Sequence, residues 1–220
     1  MSQNHDETLE KLKLGILRFQ RDVYTERRQE YQTAASQPQK PHTLVIACAD
    51  SRVDPETLTQ SGTGEIFVSR NIGNMVPAYG EMLGGVSAVI EYAIEALRVQ
   101  HVVVCGHTDC GAMKGILEGE GQLGHMPTVK IWLRNADAAQ RIAATMDDGK
   151  PSIKTMTEQN VLLQMQHLHT HPSVTGAIEQ GRLTISGWVY DIANGDVRIY
   201  DDRAKAFISL RDESVAATTP

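Results

Sequence analysis

The sequence predicts an α/β fold: a central, mainly parallel β-sheet flanked by helices. Over residues 43–118 short β-branched apolar runs alternate with segments of helical periodicity, and parallel strands need such helical crossovers. The runs TLVIAC and VVVC are apolar throughout, as buried strands are. A length of 220 residues suits one α/β domain with a large core.

Along the chain, residues 8–24 place Leu9, Leu12, Ile16, Phe19 and Val23 near helical spacing between charged residues. This predicts an amphipathic N-terminal helix, an arm of about residues 8–30 that precedes the first strand and packs on the body or on a partner subunit. Ala34–Pro41 contains two prolines and reads as a loop. Strands are expected at Thr43–Cys48, Glu65–Ser69 and Val102–Cys105. Helices are expected at Gly84–Arg98, from Gly111 to Leu117, at Met126–Met146, at Thr157–His169, and at Ser173–Gln180 after Pro172. Leu183–Tyr190 and Val197–Tyr200, separated by Ala193-Asn194-Gly195-Asp196, read as a hairpin. Residues 211–220 are polar and are expected to fray. The whole chain, 1–220, reads as a single domain with that arm and tail.

Hydrophobic residues at 41% and charged residues at 22% are ordinary for a soluble globular protein. A net charge of -6 and scattered basic residues give no reason to expect nucleic acid as a partner. No apolar run approaches the ~20 residues that span a membrane. The N-terminal residues mix both charge signs and lack the apolar core of a secretory signal. The expectation is a cytoplasmic protein with no membrane partner. Three cysteines, Cys48, Cys105 and Cys110, are too few for a disulfide framework; thiols in a cytosolic chain serve metal or catalysis more often.

The chemistry is concentrated in Cys48-Ala-Asp50-Ser-Arg52 and His107-Thr-Asp109-Cys110-Gly111. Two thiolates and one imidazole are ligands that zinc prefers, and three protein ligands leave a fourth position for water. Such an open zinc generates hydroxide near neutral pH. Functional groups gather at the carboxyl ends of parallel strands. Cys48 ends one expected strand and His107 follows another, so the two can meet. A helix opening at Gly111 favours negative charge on Cys110. Two thiolates leave the metal near zero formal charge, a weaker Lewis acid than an all-histidine site would hold. Asp50, fixed by a bidentate contact from Arg52, can orient the water and compensate. Alternatively, Asp50 occupies the fourth position itself and closes the site.

Other candidates carry less. Cys105, His107 and Cys110 form a rival ligand set, but it leaves Cys48, Asp50 and Arg52 unexplained, so Cys105 is assigned to the strand core. His167 and His171 share a helix face and suggest a second metal site, but they stand at a helix C-terminus, where histidine is favoured by the macrodipole. His42, His101 and His125 read as isolated residues. Asp109 is either a hydrogen-bonding neighbour of the site or a solvated turn residue. Arg70 and Asn71, past a strand end, suit a supporting role.

At these residues the chain resembles the β-class carbonic anhydrases. CADSRVDP (48–55), GEIFVSRNIGNMVP (64–77), GGVSAVIEYAIEAL (84–97), VVVCGHTDCGAMKG (102–115) and SGWVYDIANGDV (186–197) follow the family pattern in order. HMPTVKIWLRNAD and LHTHPSV are most similar to bacterial members associated with cyanate metabolism. The resemblance implies zinc, one ion per subunit, on Cys48, His107 and Cys110, with Asp50 and Arg52 as a catalytic dyad. It implies reversible hydration of carbon dioxide to bicarbonate and a proton by attack of zinc-bound hydroxide. Gln39, Phe67, Ile72 and Tyr92 match positions lining a narrow substrate pocket, much of it built across a dimer interface, and Gly111 presents its backbone N–H there. The implied assembly is a homodimer, extended in some members to a tetramer or octamer.

One subgroup closes its site with the aspartate and binds bicarbonate at a regulatory pocket that uses a Trp three residues before the first Cys ligand. Val45 stands there in this chain, while the matching Arg70 and Tyr190 are present. The expectation is therefore the open form. Two rival functions fit the same residues: hydrolysis of carbonyl sulfide or carbon disulfide, and a non-catalytic zinc-binding oligomer. The second leaves Asp50 and Arg52 without a task.

Overall fold

The computed structural model describes residues 2–81 and 84–210; the expected frayed tail lies outside them. The chain divides into two compact units, Met1–Gln39 and Lys40–Pro220.

In the first unit, α1 (Ser2–Arg18) runs into a wider-wound turn over Phe19–Tyr24 and is followed by α2 (Arg28–Ser36). The expected loop therefore starts later than Ala34. Tyr24 and Tyr31 stack at 5.5 Å, and Phe19 meets Tyr31 edge-on at 5.8 Å. Leu9, Leu12, Ile16 and Leu17 are exposed.

The second unit is built on a six-stranded sheet in the order β2-β1-β3-β4-β5-β6. The strands are β1 (Thr43–Cys48), β2 (Ile66–Asn71), β3 (His101–His107), β4 (Thr184–Asp191), β5 (Asp196–Asp201) and β6 (Ala206–Ser209). The first four are parallel; β5 and β6 extend the sheet antiparallel. The mainly parallel α/β class is thus as expected, hairpin included, and β6 is an addition.

Helices fill the connections. α3 (Pro55–Thr59), not expected from the sequence, is capped by Asp54, which accepts from Thr57 N at 3.1 Å. α4 (Gly85–Glu91) continues as a wider turn over Tyr92–Ala96. α5 (Gly111–Glu118), α6 (Glu120–Leu123), α7 (Pro127–Leu133) and α8 (Asp137–Met146) follow. The single helix expected over Met126–Met146 is in fact broken by a 3-10 turn at Arg134–Ala136. α9 (Ile153–Leu168) starts earlier than expected because Ser152 caps it, accepting from Thr155 N. α10 is Pro172–Glu179.

The main core lies between one sheet face, with Leu44, Ile46, Val102 and Val104, and the helices α4, α9 and α10. The opposite face places Val45, Ala47, Val103 and Cys105 against Val53 and Leu58. α9 approaches β3 and β4 closely. A Cβ at Gly187 would stand 2.5 Å from Met165 Sδ and 2.7 Å from Val161 Cγ1, so only glycine fits. Because β1 lies between β2 and β3, the chain leaves it on one side and returns on the other. Such a switch point opens a crevice at the carboxyl ends of the strands.

Candidate active site

Cys48 is the last residue of β1, and His107 is the last of β3. The parallel register pairs Ala47 with Cys105, so the two strands deliver Cys48 and His107 to the same sheet edge. The turn that follows brings in the second thiol. Thr108 N donates to Tyr190 O at 2.9 Å, Asp109 adopts φ 61°, and Cys110 takes the N-cap position of α5. The Cys48 and Cys110 sulfurs and a His107 ring nitrogen all lie within 4.8 Å of one another, and all three residues are buried. Among the described residues no other His, Cys or acidic group converges in this way.

The donor chemistry fits zinc. His107 Nδ1 bonds the Thr108 carbonyl at 2.8 Å, which makes it the protonated nitrogen. His107 Nε2 is then a buried lone pair with no hydrogen-bond partner; its neighbours are the two thiols. A ligand histidine fixed through its other nitrogen to a carbonyl is the usual arrangement around zinc. Hydrogen bonding from Cys110 holds Cys48 at about 4, aided by His107 and by the backbone N–H groups of Gly73 and Asp50. The Cys48 thiolate and burial push Cys110 up, while the Ala112 and Met113 amides in the first turn of α5 pull the other way. A divalent cation would replace the shared proton. Burial pulls the His107 imidazole down, but the Cys48 thiolate, the Thr108 carbonyl and Asp50 together raise it.

Asp50 stands beside this group, its Oδ2 3.9 Å from His107 Nε2. Arg52 grips it from both sides of its fork, Nε to Oδ1 at 2.9 Å and Nη2 to Oδ2 at 2.7 Å, and its own backbone N adds a third bond at 3.0 Å. The Arg52 contact holds the Asp50 carboxyl well below the usual carboxylate range. Arg52 Nη1 also donates to Asp109 Oδ2 at 2.8 Å, and Lys114 bonds the other oxygen of Asp109. Asp109 is accordingly held at about 2, by Lys114 first and then Arg52. Arg70 donates to the carbonyls of Cys48 and Asp50, at 3.1 and 2.6 Å.

A cleft of about 370 Å³ opens over these residues. Cys48, Asp50, Ile72 and Gly111 line it with an apolar wall that includes Leu123, Val129 and Leu133. That wall, from the segment after α5, was not anticipated: its residues carry only helical periodicity. Ile72 and Gly111 line this cleft. Phe67 and Tyr92 are not among its described lining residues; their rings face each other at 6.0 Å. Gln39 is exposed at the end of the first unit.

The remaining candidates have other partners. Cys105 is fully buried, and burial pushes its thiol up to about 12, so it is a core residue and not a thiolate. His167 and His171 bond the carbonyls of Val76 and Pro77. His101 lies between the hydroxyls of Thr184 and Ser186, and His42 bonds Thr43.

Comparison with known proteins agrees with this geometry. The family model described as "Carbonic anhydrase" matches residues 43–197. A carbonic anhydrase of Pseudomonas aeruginosa is 46% identical over 200 residues, 90% of each chain. Carbonic anhydrase 1 of Escherichia coli O157:H7 is 45% identical over 198 residues, 89% of this chain and 90% of that one. Among solved structures, the β-carbonic anhydrase CcaA superposes with a TM-score of 0.88 at 35% identity, over 92% of this chain and 99% of the other. A Coccomyxa β-carbonic anhydrase, solved with acetazolamide, gives 0.72 at 28% identity, over 86% and 85%. Matched across its catalytic strands and most of its length, this chain belongs to the β-class carbonic anhydrases and is an enzyme of that family.

Proposed function

We propose that the chain catalyses reversible hydration of carbon dioxide to bicarbonate and a proton, using one zinc ion per subunit on Cys48, His107 and Cys110. The buried, unpartnered His107 Nε2 beside two thiols, under a cleft edged by a clamped carboxylate, carries this reading. When bound, zinc supplies a Lewis acid able to bring the pKa of water into the neutral range.

The chain's own residues do the rest. Asp50 accepts a hydrogen bond from the nucleophilic water and so turns a lone pair toward the substrate. It acts as an acceptor and not as an acid, because the bidentate Arg52 contact keeps it ionised throughout the working range. That contact engages both carboxylate oxygens, which supports the open form, in which Asp50 is not a metal ligand. Asp109 and Lys114 keep Arg52 in place. Ile72, Val129 and Leu133 offer the apolar surface that a nonpolar, linear substrate needs. The Gly111 N–H, in the open first turn of α5, donates to a substrate oxygen. Phe67, Tyr92 and Gln39 complete the pocket only in a homodimer, the proposed basic unit, possible also as a tetramer or octamer. A related pair of β-carbonic anhydrases from Sordaria macrospora is tetrameric. The exposed apolar row Leu9, Leu12, Ile16 and Leu17 supports association with a second copy.

The test is stopped-flow hydration of carbon dioxide with zinc determined on the same samples. Zinc-loaded protein that is inactive from pH 7 to 9, or active equally without zinc, refutes the proposal. Parallel assays on carbonyl sulfide and carbon disulfide identify the sulfur chemistry if that is the outcome.

A further inference from the structure

Two separate stretches of chain wall the cleft. One is the turn after β2, which places Ile72, 43% exposed, beside Cys48 and Gly111. The other is the segment after α5, which contributes Leu123, Met126, Val129 and Leu133. Val129 and Leu133 are four residues apart on α7 and so share one face of it. Neutral side chains hold the first stretch. Asn71 bonds both the N and the O of Met75, at 2.7 and 3.0 Å. Asn160 Nδ2 donates to Gly73 O at 3.1 Å, and Gln164 Oε1 accepts from Val76 N at 2.8 Å. The second stretch is held by packing. A Cβ at Gly115 would stand 3.0 Å from Leu123 Cδ2, so Leu123 rests on the bare backbone of α5. Leu133 is buried in the apolar cluster that also contains Cys48, Cys110 and Met113.

A hydrogen bond joins the two stretches. Trp132, three residues after Val129 on α7, donates from Nε1 to Ile72 O at 2.9 Å, across 60 residues of sequence. Its ring packs against the same apolar cluster as Leu133. An indole suits both tasks, with an apolar body for the cluster and a polar tip for the carbonyl. It is a donor only, so this one bond uses its whole capacity.

We propose that Trp132 is a positioning residue for the substrate pocket: its indole N–H ties α7 to the Ile72 carbonyl and so sets how far the Ile72 side chain stands from the Val129 and Leu133 wall. The inference rests on the carbon dioxide reading above. A small, uncharged, linear molecule is retained by close apolar contact, and that contact weakens steeply as a gap opens. A cleft free to widen is competent for only part of the time, and apparent affinity falls with that fraction. These contacts are alike in substrate and transition state, so their loss appears in KM and not in kcat.

Trp132→Phe keeps an aromatic ring and removes the N–H. In stopped-flow assays of the zinc-loaded protein, KM for carbon dioxide is expected to rise about 3- to 10-fold, the weight of one ordinary hydrogen bond. kcat is expected to stay within about twofold of wild type. Ile72→Ala removes the apolar wall but leaves the carbonyl and its bond. Because Trp132 acts through Ile72, Trp132→Phe should add less than about twofold in KM to Ile72→Ala. Gln140→Leu is the control: it loses a bond of the same kind, Nε2 to Ile116 O at 3.1 Å, and its KM should not move.

A second readout needs neither substrate nor metal. The chain has two tryptophans, and the Trp188 N–H has no hydrogen-bond partner to lose. In Trp188→Phe, NMR therefore follows the Trp132 indole proton alone. It should exchange with solvent at least about threefold more slowly than in the unfolded chain. An unprotected indole proton, an unmoved KM in Trp132→Phe, multiplying effects in the double variant, or an equal rise in Gln140→Leu each overturn the proposal. Zinc-loaded wild type that does not hydrate carbon dioxide removes the substrate reading, and this inference with it, even with the indole proton protected. Should Trp132→Phe fail to fold, the benzothiophene analogue of tryptophan, with sulfur in place of the N–H, is incorporated in Trp188→Phe and decides by the same KM.

Discussion

Asp50→Asn separates function from stability at this site. The carboxylate accepts three bonds: backbone N of Arg52 and Arg52 Nε on Oδ1, and Arg52 Nη2 on Oδ2. An asparagine with its oxygen in the Oδ1 place keeps the first two. Its NH2 then faces Arg52 Nη2, donor against donor, so the third is lost and Nη2 is left with the Asp109 carbonyl at 3.3 Å, while Nη1 keeps its bond to Asp109 Oδ2. The stability cost is small, because the Arg52 side chain is 45% exposed and solvent screens such a pair. Melting is expected within about 3 °C of wild type. Zinc content is expected unchanged, since none of the three ligand side chains is touched. The catalytic cost is large. Losing a preorganised hydrogen-bonding group at the nucleophile lowers rates about 10²- to 10³-fold, or about 3–4 kcal/mol of barrier. Stopped-flow hydration, zinc analysis and thermal melts on one preparation read all three. A variant that keeps its zinc and stays within threefold of wild-type kcat/KM refutes the role given to Asp50. One that loses zinc makes Asp50 a ligand and the site closed.

Cys48→Ser and Cys110→Ser are expected to abolish zinc binding, whereas Cys105→Ser retains it and loses about 1–3 kcal/mol of stability for a buried hydroxyl; metal analysis after dialysis distinguishes them, and zinc loss on Cys105→Ser alone would reverse the ligand assignment. Gly187→Ala drives a methyl to within 2.5 Å of Met165 Sδ and should cost about 1–3 kcal/mol as overpacking, seen as a lower urea midpoint with an unchanged slope. Asp109, held at about 2 by Lys114 and Arg52, lies below its unfolded value of about 3.9. Its contribution is therefore present above pH ~4 and lost as pH falls through about 2; Asp109→Asn should flatten that acid limb in thermal melts, and an unaltered limb refutes the linkage.

The sheet was legible where residue type and burial agree. Thr43–Cys48 is a strand over the range expected, because a short run rich in β-branched residues is too short for a helix of its own. The 183–200 hairpin followed from Asn194-Gly195. Boundaries set by side-chain caps were missed: α9 starts where Ser152 caps it. The short β6 was missed because four residues of alternating burial carry little periodicity. At the site, ligand types and the CxDxR spacing pointed to Cys48, Asp50, Arg52, His107 and Cys110. Asp109 remained undecided because its partner Arg52 is 57 residues away in sequence. Phe67 and Tyr92 show the converse limit: their match to a pocket came from resemblance, and within one chain their tilted rings lie 6.0 Å apart.

The polar contacts around Cys48 follow from one electrostatic requirement. Two thiols and one carboxylate converge beside the cleft, and the open form proposed above requires the carboxylate to stay off the metal. An alternating chain of charge solves this: Asp50, Arg52, Asp109 and Lys114, each touching the next. Arg52 consumes both oxygens of Asp50, and Asp109 with Lys114 prevents Arg52 from swinging away.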